Sequence, residues 1–144
     1  MSFRPHVKQT IGRIENIEFP NWSIDQLDAK VDTGAYTSSL HCHKITVVTR
    51  DDGDFVHFSL FDPKHPSYKK RVFESKLEKV RNVKSSNGVV QKRYTIKEIC
   101  RFGGKKRTIE LTLTDRSKMK YDLLLGRKFL NNYLVDVSKK YLIS

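Results

Sequence analysis

The chain has 144 residues, 38% of them hydrophobic and 31% charged, with a formal net charge of +12. That length supports one domain (1–144, body about 10–137) with a single core, and no apolar run approaches a membrane span, so no membrane partner is expected. Residues 64–107 hold 15 Lys and Arg against three acids and so account for the whole positive excess, a one-sided field that draws polyanions, either nucleic acid or acidic peptide. The first ten residues include Arg4 and Lys8 but no apolar signal region, so the expected location is cytoplasmic. Cys42 and Cys100 have no C-x-x-C spacing and read as buried thiols.

In chain order, Ile11, Ile14 and Ile17 stand among polar residues, and Pro20-Asn21 punctuates the chain as a turn. Leu27, Ala29 and Val31 then alternate with polar residues at the period of a half-buried strand. Ile45–Thr49 is β-branched and 55–61 aromatic and β-branched, with Asp51-Asp52-Gly53 as the hairpin turn between them. Residues 62–70, containing Pro63 and Pro66, read as an exposed loop. Lys79–Lys84 and Val89–Arg101 flank Ser85-Ser86-Asn87-Gly88, a hairpin signalled by Asn-Gly, and a second hairpin turns at Gly103-Gly104 into Ile109, Leu111 and Leu113. Leu123-Leu124-Leu125 reads as a central buried strand, Gly126–Tyr133 as one or two helical turns, and Leu134–Val137 as a last strand. Many short strands with one brief helix predict a small closed or sandwiched β domain.

Two motifs carry chemistry. Asp32-Thr33-Gly34-Ala35 ends the strand at Val31, and Leu124-Leu125-Gly126-Arg127 follows, its Gly 92 residues after Gly34. An Asp at a strand end can activate water, a Thr hydroxyl can hold a tight loop, and a Gly admits close backbone approach. Two carboxylates about 3 Å apart cannot both ionise, so such a pair supplies one acid and one base.

The run Ala29–Ala35 with Thr37–His41, followed by Ser86-Asn87-Gly88, Arg93, Leu111–Thr114, Arg116, Met119 and Leu124–Arg127, resembles the RimB family of retropepsin-like proteins over roughly residues 10 to 137. That resemblance implies an all-β, retropepsin-like (acid protease) closed β domain with one short C-terminal helix. It implies an aspartic peptidase with Asp32, Thr33 and Gly34 as catalytic residues. One motif per chain then requires Asp32 of a second copy, hence a homodimer. The hairpin at Asn87-Gly88, 39 residues before Arg127, takes the place of a retropepsin flap. Ala35, Ser86, Asn87, Gly88, Lys92, Arg93 and Arg127 are the expected substrate-binding residues. The family occurs beside ATP-grasp glutamate ligases, so such a ligase is an expected partner. A Glu-rich peptide or glutamate-tailed protein is the expected substrate, in agreement with the basic hairpin.

The chain departs from viral retropepsins at Tyr36, where an Asp usually pairs with the Gly-Arg arginine. Arg127 therefore either is pinned by backbone carbonyls or Asp122, or binds a substrate carboxylate. The family also carries the label "ATP-dependent zinc protease", yet the sequence has no H-E-x-x-H and no P-loop, and no cofactor is expected. His41, Cys42 and His43 form the only dense set of metal-ligand types; His41 and His43 would share a strand face, with His57 or His65 as a third ligand. No metal site is expected. The rival to an enzyme is a basic module binding nucleic acid or ribosome, in which Tyr68, Phe73, Tyr94 and Phe102 would stack on bases rather than fill the core.

Overall fold

The computed structural model describes residues 7–60, 72–84, 87–115 and 120–144. The loop expected at 62–70, and Ser86, His65, Tyr68, Arg116 and Met119, lie outside the described residues. The first strands are β1 (Gln9–Gly12), β2 (Ile14–Phe19) and β3 (Ile24–Val31), with a single 3-10 turn at Pro20–Trp22 between the latter two. Ile11, Ile14 and Ile17 are all buried: the chain breaks at Arg13 between the first two, and Ile14 and Ile17 sit on opposite faces of β2, only Ile17 joining the main core.

β4 (Ser38–Arg50) and β5 (Gly53–Leu60) form the expected hairpin, but β4 begins seven residues before Ile45 and carries His41–His43 within it. A register shift between His43 and Thr46 separates its two halves, and Lys44 has φ 52°. Such a bulge lets one strand serve two sheets. β6 (Phe73–Lys76) was not apparent from sequence: four alternating residues inside a charged stretch give little periodic signal. β7 (Lys79–Lys84), β8 (Val90–Phe102) and β9 (Lys105–Thr114) form the two expected hairpins, and Gly103 and Gly104 take positive φ at their tight turn. The chain ends through β10 (Leu123–Leu125), one helical turn α1 (Arg127–Leu130) and β11 (Tyr133–Asp136).

The sheet runs β10-β3-β2-β8-β9-β4-β5-β6, and β10 also pairs with β4, which closes the first six of these strands into a ring. Inside it lie Ile17, Leu40, Ile96, Leu111, Leu123 and Leu125, all essentially inaccessible. Trp22 adds an aromatic cluster, stacked on Phe19 at 4.7 Å and edge-on to Phe58 and Phe73. Phe73 and Phe102 are buried and Tyr94 packs against the core, so three of the four aromatics set among the basic residues serve packing rather than base stacking. Cys42 and Cys100 are free, buried thiols. No helix among the described residues is long and apolar enough to cross a membrane.

Beyond β11 the chain stays attached to the body. The buried Glu15 carboxylate accepts the N–H groups of Gly12 (2.7 Å), Leu142 (2.8 Å) and Ile143 (3.2 Å) and the Ser144 hydroxyl (2.8 Å). A buried acid is tolerated where donors surround it in this way.

Candidate active site

β10 is the element that builds the site. Its three leucines run parallel to β3 and antiparallel to β4, filling the gap opened where the chain leaves β3 at Asp32 and re-enters the sheet at Ser38. The Asp32 N–H donates to the Leu125 carbonyl at 2.9 Å, so the ladder extends one residue past Val31 and fixes the Asp backbone. The loop then folds on itself: Gly34 N–H donates to Asp32 Oδ1 at 3.0 Å and Ala35 N–H to the Asp32 carbonyl at 3.3 Å. One carboxylate oxygen is thereby held, and the side chain loses rotational freedom.

Gly126 passes directly against this loop. A Cβ there would lie 2.5 Å from the Thr37 carbonyl oxygen and 2.7 Å from that of Tyr36, which no side chain survives without backbone movement. The first helical residues have N–H groups that no helix carbonyl can satisfy. Here the loop supplies the acceptors: Arg127 N–H donates to the Ala35 carbonyl (2.8 Å) and Lys128 N–H to that of Tyr36 (3.0 Å). The buried Gly126 N–H donates to Ser38 Oγ at 3.0 Å. Arg127 completes the clamp, its Nη1 donating to the Thr33 carbonyl at 3.0 Å and its guanidinium carbon lying 5.8 Å from the Tyr36 ring centroid. Of the anchors open to Arg127, a backbone carbonyl holds it, and Tyr36 offers a ring face where an Asp would offer charge.

Asp32 is half-buried at the edge of a cleft of about 200 Å³, whose other walls include Ala35, Thr37, Ser39, Leu124, Arg81 and Arg93. Arg81 and Arg93 are directly opposed in the β7–β8 ladder. Like charges so placed destabilise a hairpin, so their joint presence over a carboxylate cleft asks for an anion. Arg81 was not singled out in the sequence: a two-residue turn at Asn87-Gly88 would set it opposite Tyr94, and the register that pairs it with Arg93 is one residue away from that.

The other expected residues distribute unevenly. Thr33 and Gly34 are exposed on the loop, and Asn87 and Gly88 are exposed at the hairpin tip rather than along the cleft. Lys92 does not line the Asp32 cleft; it borders a second cavity with Ile45, Gln91 and Asp115, and Arg93 borders both.

His41 and His43 do share a face, their rings edge-on at 4.7 Å, but the third nearby group is Asp115, with His43 Nδ1 3.4 Å from Asp115 Oδ1. His57 instead hydrogen-bonds Glu74 at 2.7 Å, which Arg50 grips with both guanidinium nitrogens. The three donor atoms at His41, His43 and Asp115 lie within 4.8 Å of one another, and two imidazoles with a carboxylate have the chemistry of a zinc ligand set. Cys42 points to the opposite, buried face, away from this group, and burial pushes its thiol up to about 12.

A closed ring of strands whose Asp-Thr-Gly loop is locked by a Gly-Arg element defines a retropepsin-like domain. The family description "Retropepsin-like aspartic endopeptidase RimB" matches residues 10–144, and the chain belongs to this RimB-like family. It is 40% identical over 139 residues to a Shewanella halifaxensis protein named "Probable alpha-L-glutamate ligase", covering 93% of this chain and 30% of that one. A protein of the same name from Parasynechococcus marenigrum is 35% identical over 134 residues, covering 90% of this chain and 28% of its own length. The chain thus spans under a third of these curated relatives. A crystal structure of a Legionella pneumophila protein of unknown function superposes with TM-score 0.78 at 28% identity, covering 96% of this chain and all of that one.

Proposed function

We propose that the protein is an aspartic peptidase that cleaves acidic, Glu-rich or glutamate-tailed chains, using Asp32 together with Asp32 of the partner subunit. The observation that carries this reading is a held Asp32 carboxylate sharing its cleft with the opposed pair Arg81 and Arg93. The kinship with proteins named for glutamate ligation supports the same substrate class, and a glutamate ligase is the proposed functional partner.

The chemistry needs two carboxylates with one proton between them. The ionised one takes a proton from a water bound between them while that water's oxygen attacks the scissile carbonyl. The protonated one gives its proton to the carbonyl oxygen, forming a neutral tetrahedral diol. Collapse of the diol breaks the C–N bond, with a proton passing to the leaving nitrogen and the pair returning to its starting state. The exposed Thr33, Gly34 and Tyr36 offer the surface against which the second copy would dock, with two-fold symmetry bringing like residues together. The arginines favour acidic side chains on either side of the bond through long-range attraction and forked hydrogen bonds.

Asp32→Asn should fold normally and hydrolyse no oligoglutamate peptide; full turnover by this variant would sink the mechanism. Sedimentation at assay concentration should show a dimer whose specific activity falls on dilution. Arg81→Gln and Arg93→Gln should each raise KM for an acidic peptide and flatten its ionic-strength dependence. If the wild type cuts neutral peptides as well as acidic ones while its basic face retards RNA in a gel, the nucleic-acid module becomes the better reading.

A further inference from the structure

We infer that a second anion pocket, centred on Arg107, continues the Asp32 cleft and binds a carboxylate of an acidic peptide some residues away from the cleaved bond. This rests on the reading of the cleft given above. A cavity of about 290 Å³ adjoins the Asp32 loop, its lining including Thr37, Lys97, Arg107, Glu110, Lys128 and Phe129. Thr37 borders the Asp32 cleft too, so one extended chain can leave the first and enter the second. Along such a chain alternate side chains face the same wall, at about 3.3 Å per residue.

Arg107 is built to receive a ligand. Its guanidinium carbon sits 3.7 Å from the Phe129 ring centroid and 5.8 Å from that of Tyr133, so ring faces fix its plane. Stacking occupies the face of the guanidinium and leaves its N–H edge for hydrogen bonds. Nη1 on that edge is buried and has no hydrogen-bond partner. A buried donor on a cation is rarely left unpaired, because it has lost water and gained nothing. A carboxylate entering the pocket would accept from Nη1 and from a neighbouring N–H in forked geometry.

Glu110, the acid in this lining, does not compete for this role. Lys79 Nζ is 2.7 Å from its carboxylate, Lys128 binds its other oxygen, and Lys97 stands opposite it in the β8–β9 ladder. Arg107 therefore keeps its charge for a ligand, with Lys97 adding to the attraction.

The test uses the full chain carrying Asp32→Asn, so that binding is read without turnover. Di-, tetra-, hexa- and octaglutamate are titrated by calorimetry, each with a free and an amidated C-terminus. Affinity should rise with length, and Arg107→Gln should remove about tenfold from the longest peptides while leaving diglutamate unchanged. A side-chain carboxylate as ligand leaves amidated and free peptides equal; a terminal carboxylate makes amidation as damaging as Arg107→Gln. Arg107→Lys, which keeps the charge and the stem but not the fork, should show a smaller loss and guards against a misfolded Gln variant, with melting curves recorded for both. A loss equal at every length, or none at any length, overturns the second pocket while the acidic cleft stands. Failure of every oligoglutamate to bind overturns both.

Discussion

Ser38→Ala tests how the Asp32 loop is positioned. In the native fold the Ser38 hydroxyl accepts the buried Gly126 N–H at 3.0 Å, and no other acceptor replaces it when the oxygen is deleted. The cost is therefore that of an unpaired buried N–H, about 1–3 kcal/mol, rather than the smaller net value of an exchanged bond. For a chain of this size the melting temperature should fall by roughly 3–5 °C for each kcal/mol. The functional loss should be larger than stability implies. Gly126 leads directly into the Arg127 and Lys128 N–H groups that hold Ala35 and Tyr36, so loosening it frees the loop that carries Asp32. Misplacement of a reacting group by about 1 Å costs on the order of 10²-fold in rate. Urea unfolding with the slope checked for constancy gives the stability, and oligoglutamate hydrolysis at a temperature where the variant is fully folded gives the rate. A destabilisation below about 0.5 kcal/mol with an unchanged rate would refute the proposed clamp.

Three further outcomes follow from other contacts. Arg127→Lys keeps the charge but loses the fixed fork that reaches the Thr33 carbonyl; stability should change by less than about 1 kcal/mol while hydrolysis falls at least about tenfold, and equal activity would remove Arg127 from the site. Hydrogen bonds from Lys128 and Lys79 hold the Glu110 carboxyl down to about 2 from its ordinary 4.5, so its contribution is present above 4.5 and lost as pH falls toward 2. Both lysines are 43–51% exposed, so that contribution is about 1 kcal/mol or less; Glu110→Gln should lower stability near neutrality by that amount and flatten the acid limb of the stability curve, the two proteins converging as pH falls toward 2. Burial pushes Cys42 up to about 12 and Cys100 to about 11, so a disulfide reagent at pH 8 should label neither until the protein unfolds; labelling at free-thiol rates in buffer would contradict their burial.

Local chemistry alone determined a good deal about this protein. Period-2 alternation before Asp32, Asn-Gly and Gly-Gly turns, and a triple leucine that cannot face water predict the strands and hairpins, because each is a preference of a few adjacent residues. Motif order identified the family for the same reason: Asp-Thr-Gly and Leu-Leu-Gly-Arg are each needed locally, whatever surrounds them. What tertiary structure decided was which of these residues meet. Arg127 reaches the Thr33 carbonyl from 94 positions away, and Gly126 is a glycine because the Thr37 carbonyl fills the space of its Cβ. His57 is claimed by Glu74 on a strand too short to be seen in the sequence, which leaves Asp115 beside His41 and His43. Lys92 and Arg93, adjacent and both basic, border one cavity together, yet only Arg93 also lines the Asp32 cleft, where strand register sets it opposite Arg81. Residue type follows from the chain, but convergence depends on the register of strands far apart in sequence, and that is fixed only when the ring closes through β10.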